Sequence, residues 1–448
     1  MTHTVITFMS ATPRETTYQF ADDLETYSGM IFGEALLSRR RKEKMPFDRL
    51  LLCVTDSLYE ELEKFNKGQI DDKKRLPYLE KVKKILNDLE NEPDVEILKI
   101  KTGRNTNEVW DIFNTVTERI KKEEQVSFDI THGLRSIPFM VFLFAAFLKS
   151  AKDVEIKAIL YGAAELTDKT TNVAPVIDLT PFVEMLDWIN ATEFFVKTGN
   201  AIRLADLLKS REKSAAQSLE AVSRAALMTQ PFSLSKEARN LQRELRKAAT
   251  SFAYTSQPFS VLAEKISQTF SHFILPEEIS RDTPLPCEYG EKLLSQEWDL
   301  IEWYQEHGHW MQALTLAREF LIDLVTWEVG DAIDLKPENR NVVERGISGV
   351  FRIGRQFRDE NGEERLYTES DLNRFGEKFY RKHPRAQEIA TVFDTVSTLR
   401  NQLNHAEHKK DAIRFSKLIQ KIPEELEKVR ELYKQRSLIP LTEQENAP

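Results

Sequence analysis

The stretch QVSFDITHGLRSIPFMVFLFAAFLKS, residues 125–150, decides the fold. A β-prone run over residues 126–130 leads into the turn at 131–133, and an apolar run follows over residues 137–148. Gly133 allows the backbone to turn sharply or a ligand to approach it closely. Pro138 suits the first turn of a helix, where its missing N–H is not needed. The pattern predicts a strand, a tight turn and a helix buried against a sheet.

This turn has two interpretations. It is either an ordinary strand-to-helix connection in a doubly wound sheet or an anion-binding pocket. The unpaired N–H groups at a helix start form a natural seat for a phosphate. Thr131, His132, Arg135 and Ser136 bring further hydrogen-bond donors into the same loop. Geometry alone leaves both interpretations open.

Strands and helices alternate around this stretch over residues 1–185. Strands are predicted at residues 4–9, 16–20, 48–54, 95–100, 126–130, 154–162 and 174–179, and helices at residues 30–40, 58–65, 78–89, 106–121 and 137–148. The alternation predicts a parallel, doubly wound α/β sheet. Ser10, Ala11 and Thr12 directly follow the first strand, where small, hydroxyl-bearing residues suit a nucleotide-binding loop. Because carboxyl ends of neighbouring strands share one crevice, we expect this loop and residues 131–136 to line one site.

Composition and missing motifs exclude several function classes. A net charge of −9 argues against a broad basic surface for duplex nucleic acid, although a small basic pocket is compatible with it. Neither G-x-G-x-x-G nor G-x-x-x-x-G-K-[ST] occurs, which disfavours nicotinamide-dependent redox and NTPase chemistry. Cys53 and Cys287 have no metal-like spacing. With no signal peptide and no apolar run of membrane-spanning length, we expect a soluble, cytoplasmic protein without a membrane partner.

Beyond residue 185 the pattern becomes helical. Residues 186–290 read as a helical linker region that lacks a clean DNA-recognition helix, and residues 291–448 as an all-α domain. Helices of that domain are predicted at residues 291–306, 310–329, 386–407 and 411–434. Pro423 is expected to break or kink the last one. His307 and His309 lack a third ligand nearby, which favours a helix-junction role over a zinc site.

The segment Arg400-Asn401-Gln402-Leu403-Asn404-His405 is the catalytic candidate. Asn401 and His405 are four residues apart and share a helix face, and the long side chain of Arg400 can swing over the same patch. Histidine can move a proton near neutral pH, and arginine can stabilise charge on a phosphate. RNA carries its own nucleophile in the 2′-OH, so these groups need no metal.

Two segments of the chain resemble one known family. The decapeptide DITHGLRSIP, residues 129–138, resembles the signature of CARF domains, the Rossmann-like sensors of cyclic oligoadenylate in type III CRISPR systems. Residues 400–405 resemble the R-x4-6-H motif of HEPN ribonucleases. The layout of the whole chain is similar to that of the CRISPR-associated CARF–HEPN effectors. The pair Arg318-Glu319 also resembles a recurrent HEPN core feature, the alternative being a surface salt bridge.

The resemblance implies an architecture and an activity. The architecture is a CARF domain at residues 1–185, a helical linker at 186–290 and a HEPN domain at 291–448. A homodimer, which could assemble further, would cleave single-stranded RNA without a metal when cyclic oligoadenylate binds, tetra-adenylate being the commoner activator. No cofactor is implied. The ligand-binding residues would be Ser10, Ala11, Thr12, Thr131, His132, Gly133 and Arg135. The catalytic residues would be Arg400, Asn401 and His405.

Two alternatives stay open at this point. In the first, the sensor domain also cleaves its own ligand as a ring nuclease, with Thr131, His132 or Ser10. In the second, the chain is a ligand-binding regulator whose C-terminal domain is not catalytic.

Overall fold

The computed structural model describes residues 1–133, 136–251, 256–277, 279, 282–358, 363–405, 408 and 413–436. The chain divides into two compact units, Met1–Asp187 and Trp188–Pro448. Three predicted features lie outside the described residues: Arg135 in the first unit, and in the second unit Glu407 and Asp411, the expected end of one helix and the expected start of the next.

The first unit is built on an eight-stranded sheet. Its strands are β1 (His3–Phe8), β2 (Thr16–Phe20), β3 (Thr26–Gly29), β4 (Arg49–Thr55), β5 (Val95–Ile100), β6 (Gln125–Asp129), β7 (Glu155–Gly162) and β8 (Val173–Asp178). They lie in the order β3-β2-β8-β7-β6-β1-β4-β5. The run from β7 to β5 is parallel, whereas β8 is antiparallel to β7 and β3 is antiparallel to β2. The predicted α/β class is confirmed, with a mostly parallel sheet.

Helices cover both faces of this sheet. They are α1 (Phe32–Arg41), α2 (Asp56–Asn66), α3 (Leu76–Glu90), α4 (Thr106–Glu118), α5 (Ser136–Lys152) and α6 (Thr180–Thr198), which continues into the second unit. Along β4, Leu50 and Leu52 join the core under α1–α3, whereas Leu51 and Cys53 join the core under α4 and α5. This two-sided burial explains why the strand is apolar at every position from Leu50 to Val54.

Helix α5 is buried on one face only. The inner face packs into the core through Met140, Phe144 and Leu148. Phe139, Leu143 and Phe147 form an outer stripe in which the three residues are 73%, 50% and 41% exposed. The expected helix buried against the sheet is present, with this stripe as its exposed face. No helix in the part of the chain that the structure describes is long and apolar enough to cross a membrane.

The described part of the second unit is helical apart from one short hairpin and an isolated β-bridge between Leu285 and Ile333. Its helices are α7 (Ile202–Lys209), α8 (Lys213–Leu227), α9 (Pro231–Ser251), α10 (Ser256–Thr269), α11 (Cys287–Glu306), α12 (Trp310–Glu328), α13 (Pro337–Arg352), α14 (Arg374–Lys382), α15 (Ala386–Asn404) and α16 (Phe415–Lys434). The hairpin, β9 (Gln356–Arg358) with β10 (Glu364–Leu366), lies between α13 and α14. One hydrophobic core runs through α7–α16. The division of this half into a linker and a HEPN domain stays a prediction.

Helix α16 continues through Pro423 as one helix, so the expected helix break at this residue is absent. A proline in a helix interior removes a backbone hydrogen bond and costs about 3 kcal/mol. The residues around it are well packed: Leu418, Ile422 and Leu426 are buried in the core shared with α12 and α15. Burial of these side chains, at about 1.5–3 kcal/mol each, outweighs the penalty.

His307 and His309 lie at the junction of α11 and α12. Their Nε2 atoms are each 3.1 Å from a backbone carbonyl near the end of α6, Val196 O and Thr198 O respectively. His307 also stacks on Trp303, with 4.3 Å between ring centroids. These contacts give both histidines a structural role at the junction. Within the described ranges, no three His, Cys, Asp or Glu side chains are grouped as a metal site.

A buried acidic pair joins α11 to α12. Glu297 and Asp323 are each 2% exposed. Burial, followed by the charge of Asp323, raises the pKa of Glu297 well above its usual range. Burial also raises the pKa of Asp323, against the opposing effect of Arg340. We infer that Glu297 is protonated at neutral pH and donates a hydrogen bond to Asp323.

This pair predicts a pH effect that Glu297→Gln should remove. When folding raises the pKa of a carboxyl group, the free energy of unfolding falls as the pH rises from the pKa of the unfolded state to that of the folded state. The total loss is about 1.4 kcal/mol for each unit by which the two pKa values differ. Gln cannot ionise but can still donate to Asp323. In urea unfolding between about pH 5 and pH 9, the variant should therefore lose less free energy of unfolding than the wild type. Glu306→Gln, at an exposed position of α11, should follow the wild type. If the free energy of unfolding changed with pH in the same way for Glu297→Gln and the wild type, Glu297 would not be the protonated carboxyl group inferred here.

Candidate functional site

The two predicted ligand loops lie at the same edge of the sheet. Strands β1 and β6 are parallel neighbours, with Ile6 opposite Phe128, so the chain leaves both at their carboxyl ends. In the loop after β1, the Thr12 N–H donates to Ser10 Oγ at 3.2 Å. The Ala11 carbonyl accepts a hydrogen bond from the guanidinium of Arg75. The structure thus brings the loop after β1 beside Thr131.

Arg75 is a contact that sequence reasoning missed. It lies just before α3 and pairs with Glu61 of α2 through two hydrogen bonds of 2.7 and 2.6 Å. The same guanidinium reaches the Ala11 carbonyl, 64 residues away in sequence. No local pattern marks such a contact, because it depends on how α3 packs beside the loop. It places a permanent positive charge next to the predicted ligand loop.

Asp129 anchors the loop after β6. It is fully buried. Its Oδ2 accepts from Thr7 Oγ1 at 2.5 Å, and its Oδ1 accepts from the Thr131 N–H at 2.7 Å. Thr131 Oγ1 in turn accepts from the Gly162 N–H at 2.7 Å, which ties the loop to β7. Burial raises the pKa of Asp129, and the neighbouring His132 opposes that rise. Thr7 and Asp129 therefore position the loop, a role that the sequence analysis did not assign.

His132 connects the loop to the start of α1. Its Nε2 is 3.1 Å from the Phe32 backbone N–H, so it accepts that hydrogen bond. Burial lowers the pKa of His132, with Asp129 acting in the opposite direction. The ring is therefore neutral with its proton on Nδ1. With Nε2 engaged, only the Nδ1–H can donate to a ligand.

Gly133 has a backbone conformation that suits glycine, with φ of +111°. A Cβ atom there would lie 3.3 Å from Ile137 Cγ1 and 3.4 Å from Phe8 Cβ. The missing side chain lets the loop pass between the end of β1 and the first turn of α5. Arg135 follows outside the described residues, so its place in the site stays a prediction.

The catalytic candidates lie at the end of α15. The helix ends at Asn404, and the His405 N–H donates to the Asn401 carbonyl at 3.1 Å, which keeps both residues in helical register. Asn401 and His405 are exposed, and Arg400 is half-buried. Position 405 is thus accessible to a substrate.

Two polar atoms beside this segment are buried without a hydrogen-bond partner among the described residues. They are Arg400 Nε and Ser397 Oγ, one turn apart on α15. Unsatisfied buried polar atoms are uncommon in folded proteins and call for an explanation. Among the described residues, the buried Nε of Arg400 therefore has no hydrogen-bond acceptor.

Arg318 connects the core ion pairs to α15. Its side chain is 11% exposed and pairs with Glu319 at 2.5 Å and with Glu344. Its guanidinium carbon lies 5.5 Å from the Phe393 ring centroid, on the helix that carries Arg400. The Arg318 side chain is largely buried, whereas the Glu319 side chain is 39% exposed, so the pair lies between the interior and the surface. The pair helps to fix the position of α15.

Comparisons with known proteins match both units. Residues 5–165 match the family model described as CRISPR system endoribonuclease Csx1, CARF domain. Residues 184–277 match the model described as CRISPR-associated protein MJ1674, second domain. The chain is 32% identical over 128 residues to the CRISPR-associated protein MJ1674 of Methanocaldococcus jannaschii. That match covers 28% of this chain and 20% of the relative, so the chain spans about a fifth of the relative's length.

Among solved structures, the chain is similar to Enterococcus italicus Csm6 bound to cyclic hexa-2′-fluoro-hexa-dAMP. The TM-score is 0.41 and the identity 12%, over 97% of this chain and 94% of that one. The match to the CARF model is the more specific finding, because it includes β1–β7 together with the loops after β1 and β6. The chain therefore contains a CARF domain, over residues 5–165, and is similar to CRISPR-associated proteins.

Proposed function

We propose that this chain is an endoribonuclease of type III CRISPR antiviral defence that cyclic oligoadenylate switches on. The observation that carries the proposal is the CARF match over two adjacent loops at one sheet edge. The same chain presents an accessible Arg-x4-His segment at the end of a helix. We infer that the first unit senses the ligand and that the second cuts RNA.

The ligand would lie across the loops after β1 and β6. A cyclic oligoadenylate needs donors for its phosphates, and the start of α5 supplies backbone N–H groups where a helix favours an anion. Arg75 adds a positive charge beside Ala11, and the Nδ1–H of His132 adds a donor. Ser10, Thr12, Thr131, Gly133 and Arg135 complete the proposed site, with cyclic tetra-adenylate as the first ligand to test.

The proposed cleavage uses the 2′-OH of the substrate itself. His405 would take the 2′-OH proton as the oxygen attacks the adjacent phosphorus, and the bond from phosphorus to the 5′-oxygen would break. The leaving 5′-oxygen would take a proton from the protonated His405 of a second copy of the chain, so the products are a 2′,3′-cyclic phosphate and a 5′-OH. Arg400 would stabilise the negative charge that builds on the phosphate, and Asn401 would orient it. No step requires a metal.

A second copy of the chain would complete this site. One chain offers a single Arg400 and a single His405, whereas base and acid roles call for two proton-transfer groups. The outer stripe on α5 is a contiguous exposed apolar surface of the kind that marks interaction sites. Because α5 begins at the ligand loop, a copy packed on this stripe would lie next to the ligand. We propose a homodimer with two-fold symmetry on these grounds.

A fluorescent RNA cleavage assay tests the proposal. Purified protein is mixed with quenched single-stranded RNA and with cyclic tetra-adenylate, cyclic hexa-adenylate or no ring, with EDTA present throughout. We expect one ring to raise the cleavage rate by about 100-fold, as allosteric coupling allows. Product ends should carry a 2′,3′-cyclic phosphate or the derived 3′-phosphate. Ring binding without cleavage would contradict the nuclease and favour a binding-only regulator. Linear adenylate formed from the ring would reveal ring nuclease activity.

A further inference from the structure

A second cavity lies at the opposite edge of the sheet from the ligand loops. Its volume is ≈ 590 Å³, and His3, Ser127 and Ala158, near the beginnings of β1, β6 and β7, contribute to its lining. Because these strands are parallel, their beginnings lie at the edge away from the loops after β1 and β6. Pockets that hold small organic ligands are typically about 300–1,000 Å³. The cavity is therefore large enough for a ligand of its own.

Small side chains on the sheet leave this space open. Ser127 and Ala158 are paired across β6 and β7 and form part of the floor. Larger apolar side chains, Phe20, Met45 and Leu160, stand around them. Phe20 and Leu160 are buried in the core under α1. The floor and walls thus form an apolar surface against which a flat, apolar ligand can pack.

Arg39 brings a buried positive charge to this cavity. It is 6% exposed, and its Nη2 donates to the two Asp22 carboxylate oxygens at 2.8 and 2.9 Å. Its guanidinium carbon lies 3.9 Å from the Phe20 ring centroid. Its buried Nε makes no hydrogen bond to any described residue, although an Asp23 oxygen lies 3.8 Å away. A buried arginine in a cavity wall is suited to receive an anion.

The other charged groups of the lining favour the same ligand. Lys44 and Lys157 bring two exposed ammonium groups to the cavity. The carboxylates of the lining are already engaged: Asp22 pairs with Arg39, and Asp178 accepts from the Thr180 N–H at 2.9 Å at the start of α6. His3 is also satisfied, since its two ring nitrogens each lie 2.9 Å from a partner, Pro46 O and Ser127 Oγ. The lining therefore holds three cations and two carboxylates around an apolar floor, and Lys157 Nζ also lies 3.1 Å from Glu155 Oε1.

We propose that this cavity is a second ligand site of the first unit, for a small organic anion with a flat, apolar body of about nucleotide size. Arg39, Lys44 and Lys157 would bind the anionic group, while the body would rest on Ala158 and Leu160. The site is separate from the loops after β1 and β6.

Binding of 8-anilinonaphthalene-1-sulfonate, a flat aromatic sulfonate with environment-sensitive fluorescence, tests this site on the full chain. The double variant Lys44→Glu with Lys157→Glu should weaken saturable dye binding by about tenfold or more, equivalent to about 1.4 kcal/mol. The matched control, Lys81→Glu with Lys84→Glu at exposed positions of α3, makes the same charge change and should bind the dye as the wild type does.

A second variant, Ala158→Trp, fills the floor of the cavity and should abolish the same saturable component. Melting curves establish whether each variant is folded. If Ala158→Trp does not fold, dye binding by the Lys44→Glu, Lys157→Glu double variant alone tests the proposal. Unchanged dye affinity in the Lys44/Lys157 variant, or an equal loss in the Lys81/Lys84 control, would overturn the proposal.

Discussion

Replacing His405 with alanine should abolish ligand-triggered RNA cleavage while leaving ligand binding unchanged. A histidine that transfers the proton in the rate-limiting step contributes about 10²–10⁴-fold to kcat, so we expect a loss of about a thousandfold. The side chain is exposed at the end of α15, so its removal creates no cavity in the core. Cleavage of a quenched RNA at saturating cyclic tetra-adenylate measures the first effect, and calorimetric titration of the ring measures the second.

Arg400→Ala should produce a loss of similar size, because a charge that develops on the phosphate would then lack its partner. His408→Ala is the matched control: it removes an exposed histidine three residues beyond His405 and should cut RNA at the wild-type rate. Wild-type cleavage by Arg400→Ala or His405→Ala would refute the catalytic assignment. An equal loss of cleavage rate in all three variants would also contradict the assignment, because the effect would then not be specific to Arg400 and His405.

Gly133→Val should remove cyclic oligoadenylate binding. A valine at φ of +111° is strained, and its Cβ would come within 3.3 Å of Ile137 and 3.4 Å of Phe8. The loop must therefore move away from the end of β1 to accommodate the side chain. We expect the Kd for cyclic tetra-adenylate to rise at least about 100-fold, equivalent to about 2.7 kcal/mol. Ligand-triggered cleavage should fall in parallel.

Gly68→Val separates a local effect on the site from general backbone strain. Gly68 also has a positive φ, of +67°, but a Cβ there would contact nothing within 4 Å. Valine at such a position costs about 1–3 kcal/mol of stability. The control should therefore have a lower melting temperature than the wild type and an unchanged Kd for the ring. Wild-type ring affinity in Gly133→Val would show that this loop does not hold the ligand.

The sequence predicted the first sheet well because its strands are local, apolar and bounded by turn residues. The predicted strand at residues 95–100 coincides with β5. The short strand β3, with sequence TYSG, escaped prediction because it is a polar edge strand that forms only by pairing with β2. The apolar run of α5 identified a helix correctly but gave no sign that one face is exposed. The reason is that a helix face carries apolar residues whether it packs against lipid, a partner protein or the protein core.

The positions of the two loops proposed to bind the ligand were predictable from sequence, whereas the groups that hold these loops in place were not. Ser10 and Thr131 each directly follow a recognisable strand. The contacts Thr7–Asp129 and Arg75–Ala11 join residues that are 122 and 64 positions apart. Such pairings depend on strand order and helix packing, which single-sequence patterns do not specify. The buried Glu297–Asp323 pair was missed for the same reason, since an isolated acidic residue in a helix usually indicates an exposed face.

Two side-chain hydrogen bonds join β1 to β6 in addition to their backbone pairing, one near each end: His3 with Ser127 and Thr7 with Asp129. They resist sliding of one strand along the other, so the chain segments that emerge from these strands keep a fixed separation before any ligand arrives. A preorganised receptor loses less conformational entropy when it binds. The adenylate ring should accordingly associate with a favourable enthalpy that little entropic penalty offsets.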